Sequence, residues 1–127
     1  KQNPNHLGAY NNLGILHNQL GQYEKAKSFY EKAIEIQPYN ADTYFNLGNT
    51  FKILRQHQEA ISFYEKAIKI NPNDIYAYIF KAHIFSEQGK FEEALLSYKN
   101  AYESFCFFFI LDSPILPPES TARQYWF

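Results

Sequence analysis

An all-α fold, built from about three 34-residue units of two helices each, is what this 127-residue sequence predicts. Three observations carry the prediction. A shift of 34 residues brings most of the chain into register with itself, and a period of that length marks a stacked array of supersecondary units. Inside each unit the apolar residues recur at helical spacing in two separate stretches, as at Tyr10, Leu13, Gly14 and His17, then Ala26, Phe29, Tyr30, Ala33 and Ile34. Pro4, Pro38 and Pro72 punctuate the chain at the joints.

The elements follow in order. The first pair of helices is predicted at 7–20 and 23–36, the second at 41–54 and 57–70, the third at 75–88 and 91–104. Gly21 and Gly89 fall where the two helices of a unit must turn, because glycine adopts a left-handed backbone at no steric cost. Arg55 holds that place in the middle unit, which predicts a strained turn there. After the joint prolines come Asn40-Ala41-Asp42 and Asn73-Asp74, short polar side chains suited to capping the next helix. The units therefore divide as 7–40, 41–74 and 75–104, with 1–6 the end of a preceding unit and 105–127 a tail outside the repeat. Small residues recur at Gly14, Gly48 and Ala82, and at Ala26, Ala60 and Ala94, so helix backbones are expected to approach closely there. Tyr30, Tyr64 and Tyr98 are expected to fill the space between them.

These residues resemble the tetratricopeptide repeat family. Its pattern of an aromatic, Leu-Gly, an aromatic, Ala, an aromatic, Ala and Pro is met almost fully at Tyr10, Leu13-Gly14, Ala26, Tyr30, Ala33 and Pro38. Tyr44, Leu47-Gly48, Phe51, Ala60, Tyr64, Ala67 and Pro72 meet it again. The third unit keeps Tyr78, Ala82, Phe85, Gly89, Ala94, Tyr98 and Ala101 but departs at Lys81 and Cys106. The resemblance implies an α-solenoid of antiparallel helix pairs stacked into a right-handed superhelix. It further implies that the first helix of each pair lines a concave face able to hold an extended peptide.

On that implied face lie Asn11, Asn12, Ile15, Asn18 and Gln19 from the first unit, Phe45, Asn46, Asn49, Lys52 and Ile53 from the second, and Tyr76, Ile79, Phe80, His83, Ser86 and Glu87 from the third. We take Asn11, Asn12, Asn46, Asn49, Phe45, Lys52, Tyr76, Phe80 and His83 as candidate peptide-binding residues. Asn12 and Asn46 are exact repeat equivalents, and a side-chain amide offers both donor and acceptor to the backbone of a ligand. Their arrangement resembles the asparagine ladders of superhelical arrays in glycosyltransferases, interrupted by Phe80 in the third unit. The alternative is that the amides cap or bridge neighbouring helices. The carboxylate clamp of chaperone-binding members uses lysines and an arginine, whereas Asn11, Ile15, Asn46, Tyr76 and Phe80 stand at those places. Lys52 alone brings positive charge to the middle of the face.

Composition narrows the partner classes. The net charge is −1, with 12 basic and 13 acidic residues interspersed, so no extended positive field exists to attract nucleic acid or an anionic membrane. Phe105 to Leu111, the longest apolar run, is far short of the roughly 20 residues of a membrane-spanning helix. A lone Cys106 supports no internal disulfide and no cysteine-rich zinc site, which permits a reducing interior and predicts an intracellular setting. The chain opens at Lys1 and contains no methionine, as expected of a piece of a longer protein.

No constellation of catalytic residues emerges, so no enzyme activity and no cofactor or metal is expected of this chain. His6, His17, His57 and His83 occupy unrelated repeat places, leaving no pair on one helical face to bind metal or activate a nucleophile. His17, where the other units have Phe51 and Phe85, reads as a packing residue. The expectation is a non-enzymatic scaffold that binds an extended peptide. The alternative is the substrate-docking array of a larger enzyme such as a glycosyltransferase, and a third expectation is self-association through exposed repeat ends. For the tail, three readings stand: an apolar segment folding back on the last helices, sequence foreign to the array, or a docking motif using Pro117-Pro118 or Trp126-Phe127.

Overall fold

A computed structural model describes residues 4–112, which form six helices and, among the described residues, no strand. They are α1 (Pro4–Gln19), α2 (Tyr23–Ile36), α3 (Ala41–Ile53), α4 (His57–Ile70), α5 (Ile75–Glu87) and α6 (Phe91–Asp112). Each odd-numbered helix packs on the next to make a hairpin, and successive hairpins stack through α2 on α3 and α4 on α5. The result is an α-solenoid of antiparallel pairs.

The turns within hairpins are three copies of one device. Gly21 N–H donates to Asn18 O at 3.1 Å and Gln22 N–H to His17 O at 2.8 Å, which is the Schellman closure of a helix C-terminus. The pair Arg55 to Lys52 and Gln56 to Phe51 repeats it, as does the pair Gly89 to Ser86 and Lys90 to Phe85. The left-handed residue has φ of 75° at both Gly21 and Gly89, and φ of 61° at Arg55. The middle turn is therefore strained, as its lack of glycine predicts. At the joints the Asn40 side-chain Oδ1 accepts from Thr43 N–H at 3.3 Å and the Asp74 carboxylate from Ala77 N–H at 3.2 Å, each satisfying an orphan donor of a first turn.

Two helix bounds differ from those the sequence predicts. The first helix begins at Pro4 rather than residue 7, since proline in a first turn has no N–H that the helix would use. The last runs to Asp112 rather than 104. Cys106 stands where Pro38 and Pro72 end the earlier units, and no proline or glycine interrupts the chain until Pro114, so nothing breaks the helix. The Phe-rich run up to Asp112 thus extends α6 instead of folding back, with Phe105 and Phe107 exposed. Residues 113–127, with Pro117-Pro118 and Trp126-Phe127, lie outside the described residues.

Close approach is set by missing side chains. A Cβ at Gly48 would sit 2.6 Å from Cε1 of Tyr64, and one at Gly14 would collide with the Tyr30 ring in the same way. Each tyrosine ring therefore lies against a glycine of the preceding helix, fully buried. A second ring column repeats as well: Tyr10 stacks on Phe29 with centroids 6.3 Å apart, and Tyr44 on Phe63 at the same 6.3 Å. His17 stacks on Phe29 at 5.1 Å and 12°, matching Phe51 on Phe63 at 5.2 Å and 12°. His17 is thus a ring in a ring's place, with Nδ1 against Gln22 Oε1 at 2.6 Å. Lys81, replacing the leucine of the first two units, is accommodated by an ion pair with Glu65 on α4 at 3.0 Å, its ammonium 5.9 Å from the Phe85 ring.

Candidate functional site

The first helices α1, α3 and α5 carry the candidate residues, and the fold gives them different surroundings. Asn11 is half-buried, and its side-chain oxygen accepts from Thr43 Oγ1 at 3.0 Å, bridging α1 to α3. Asn49 accepts from the Tyr64 hydroxyl at 2.6 Å, tying α3 to α4. For these two the bridging alternative describes their carbonyls, leaving the amide N–H groups and one lone pair of each oxygen for a ligand. Asn12 is exposed and Asn46 half-buried, and the side-chain amide of neither has a hydrogen-bond partner among the described residues.

Four other candidates come together. Phe45 and Phe80 meet with ring centroids 5.2 Å apart, and each also contacts the buried Tyr64 ring, at 5.7 and 6.2 Å. The Lys52 ammonium lies 5.1 Å over the Phe80 ring, within cation–π range. His83 stacks on Phe80 at 6.2 Å and meets Tyr98 edge-on at 6.0 Å. Tyr76 stands apart, strongly exposed, in the first turn of α5. The interior side of this cluster is apolar enough that burial pushes the Tyr64 hydroxyl far above its ordinary range, and raises the equivalent Tyr30 to about 12.

Next to the cluster a shallow hollow of about 240 Å³ is lined by Lys52, Ile53, Arg55 and Glu87, with Arg55 and Glu87 at 4.0 Å. Sequence reasoning missed a second hollow, about 590 Å³, lined by Pro38, Tyr39, Tyr44, Lys66, Lys69 and Ile70. It lies between α4 and the joint before α3, away from the first-helix face. The signal available for it was the exposed Tyr39 beside a joint proline with two lysines a turn apart on α4. Among the described residues no group of three His, Cys, Asp or Glu could hold a metal ion, and no helix is long and apolar enough to cross a membrane.

Helices paired in series, Schellman turns at one interval and tyrosines seated on glycines define a solenoid of helical hairpins, a class in which each unit is stabilised by its neighbours. Comparison with known proteins makes the class specific. The tetratricopeptide repeat model matches residues 7–73, and a second tetratricopeptide repeat model matches residues 63–95. The chain belongs to the tetratricopeptide repeat family. In structure it is similar to MamA, with 31% identity and a TM-score of 0.75 over 77% of this chain and 57% of that one. It is similar to the Arabidopsis OM64 TPR domain, at 25% identity and TM-score 0.72 over 76% and 80% of the two chains. The first TPR of Spaghetti (RPAP3), solved bound to an HSP90 peptide, shares the fold at 22% identity and TM-score 0.74 over 80% and 81%. The chain spans little more than half the length of the MamA chain. No sequence among curated proteins matches it. Its family and fold are those of protein-interaction modules.

Proposed function

We propose that the first-helix face binds an extended peptide, with Asn12 and Asn46 holding the peptide backbone and the Phe45–Phe80 ring pair, flanked by Lys52 and His83, selecting an apolar side chain. The observation that carries the reading is the pairing of two unengaged amides at identical repeat places with an adjoining ring cluster. An amide without an internal partner can donate and accept along a ligand backbone whatever its sequence, and each such bond contributes about 1 kcal/mol net. The rings supply what the amides lack, a sequence preference. Asn11 and Asn49 act by holding helices together, and Tyr76, exposed at one end of the face, extends the apolar contact. The fold shared with the RPAP3 domain, which holds an HSP90 peptide, supports a peptide ligand in general terms. A lone Lys52 favours a side-chain contact over a clamp on a terminal carboxylate.

The test is peptide-array binding by the wild type and by the Asn12→Ala/Asn46→Ala double variant, both first shown helical by circular dichroism. Binding that the double variant loses supports the groove. Equal binding by both, or none by either, refutes it.

A further inference from the structure

The hollow of about 590 Å³ between α4 and the joint before α3 belongs to the second hairpin, away from both ends of the described residues. Its walls are fixed by contacts within that hairpin. The Tyr44 hydroxyl donates to Pro38 O at 2.9 Å, tying the first turn of α3 to the joint, and the Tyr44 ring is backed by Phe63 of α4 at 6.3 Å. The Lys66 ammonium lies over the same Phe63 ring at 4.8 Å. Tyr39 stands at the rim, 80% exposed, and Pro38 and Ile70 complete the apolar part.

Two cations share the hollow. Lys66 and Lys69 stand three residues apart on α4 and are therefore neighbours on one helix face. No acidic residue lines the hollow, and among the described residues neither lysine forms an ion pair. An aromatic and aliphatic wall thus adjoins two like charges that no carboxylate offsets.

The other hairpins share the scaffold of this hollow but not its chemistry. Pro38 and Tyr44 have equivalents in Pro4 and Tyr10 and in Pro72 and Tyr78, whereas Tyr39 gives way to Asn5 and Asn73, and Lys69 to Glu35 and Glu103. In the third hairpin Ser104 stands in place of Ile70, and its hydroxyl donates to Pro72 O at 3.5 Å. Repetition of the fold therefore explains Pro38 and Tyr44, and leaves Tyr39 and Lys69 without a structural duty. A lysine in the last turn of α4 does suit the helix dipole. Glu35 in the last turn of α2 shows that the array does not require a cation there.

We propose that this hollow binds an acidic peptide segment carrying one bulky apolar residue, with the apolar side chain against Tyr44 and Ile70 beneath Tyr39, and its flanking carboxylates on Lys66 and Lys69. The two unpaired ammonium groups set the sign of the ligand. The ring and aliphatic wall call for a bulky apolar group between the charges. A polypeptide is the occupant because the family and fold are those of protein-interaction modules. The site is separate from the first-helix face, and the proposal does not rest on what that face binds.

The probe is the blocked pentapeptide acetyl-Glu-Glu-Phe-Glu-Glu-amide, titrated at low salt into the isotope-labelled full chain and followed by backbone amide chemical shifts. Saturable shifts are expected at residues 38–44 and 66–70, the walls of the hollow. Replacing the peptide's phenylalanine by alanine should weaken binding by roughly tenfold or more. The double variant Tyr39→Asn/Lys69→Glu should also weaken it by roughly tenfold. Its two new side chains are those that the other units carry at these places, so its helicity by circular dichroism should match the wild type. No saturable shifts, shifts confined to the first-helix face, an alanine peptide that binds as tightly as the phenylalanine one, or a folded double variant that binds as the wild type does would overturn the proposal. The shift map and the alanine peptide need no variant, and either can overturn it alone.

Discussion

Gly48→Ala isolates the contact that sets the spacing of the second hairpin. The new Cβ would lie 2.6, 2.7 and 3.1 Å from Cε1, Cδ1 and Cζ of Tyr64, whereas carbon atoms rest about 3.5–4.0 Å apart. The ring must retreat by roughly 1 Å. It has little room to do so, being fully buried, hydrogen-bonded through its hydroxyl to Asn49 at 2.6 Å, and backed by Phe45 and Phe80. Overpacking of this kind costs about 1–3 kcal/mol, while replacing a mid-helix glycine by alanine returns about 1 kcal/mol. With three ring atoms in conflict and a tethered hydroxyl, we place the net loss at about 1–2 kcal/mol. Urea unfolding followed by far-ultraviolet circular dichroism measures it. Gly8→Ala is the control, since nothing lies within 4 Å of its Cβ and only the helix-propensity gain remains. In a Tyr64→Leu background the Gly48→Ala penalty should shrink, because the obstructing ring is gone. If Gly48→Ala stabilises the chain as Gly8→Ala does, or costs the same with and without the Tyr64 ring, the argument from close approach is wrong.

Two further outcomes follow from the strained turn and the buried ring. Arg55→Gly should raise stability by about 1 kcal/mol, because φ of 61° penalises a residue with a Cβ and the exposed contact with Glu87 at 4.0 Å contributes little; an unchanged or lower urea midpoint would count against strain at that turn. Burial holds Tyr30 protonated to about 12 against an ordinary 10, so its contribution is complete below pH 10 and is lost as pH rises through about 12, a change on the order of 2–3 kcal/mol. Tyr30→Phe should therefore lose less stability than the wild type over that interval, and parallel pH profiles would show that the ring ionises as freely folded as unfolded.

How much of this was legible depends on whether a residue's role repeats. The helices, their turns and their caps recur every 34 residues, so a shift of the sequence against itself exposes them, and Arg55 announces its strain by standing where Gly21 and Gly89 stand. The end of α6 was misread because the tail was judged by its composition, although Cys106 in place of a joint proline removes the only local signal to stop. That Asn11 and Asn49 are the amides that bridge helices was beyond reach for another reason. Their partners, Thr43 and Tyr64, lie on other helices, and the equivalents of Asn49 in the other units are Ile15 and His83, so no pattern pairs the amide with the hydroxyl. Lys81 was visible as a departure, but its partner Glu65 was not.

The same distinction bears on the proposed peptide-binding face. Stacking uses what every unit repeats, a small residue under a tyrosine and alanines at the crossings, together with residues that differ between joints, Leu47 at one and Ile61 and Ile84 at the next. A residue that breaks the repeat on a face not required for stacking is free of that demand. Phe45 stands where the other units have Asn11 and Ile79, Lys52 where they have Asn18 and Ser86, Phe80 where they have Asn12 and Asn46, and His83 where they have Ile15 and Asn49. These four departures are scattered along α3 and α5, yet the fold gathers them into one connected set, Phe45 against Phe80 and both Lys52 and His83 on the Phe80 ring. Phe45 and Phe80 also pack against the core cluster that joins α4 to α5, so the inner side of the set serves the stacking as well. Because Tyr64 underlies both phenylalanines and is itself seated on Gly48, the cluster is also backed by a buried close contact of the second hairpin. A ligand side chain meeting those rings would meet a surface organised before binding, which lowers the ordering cost of recognition.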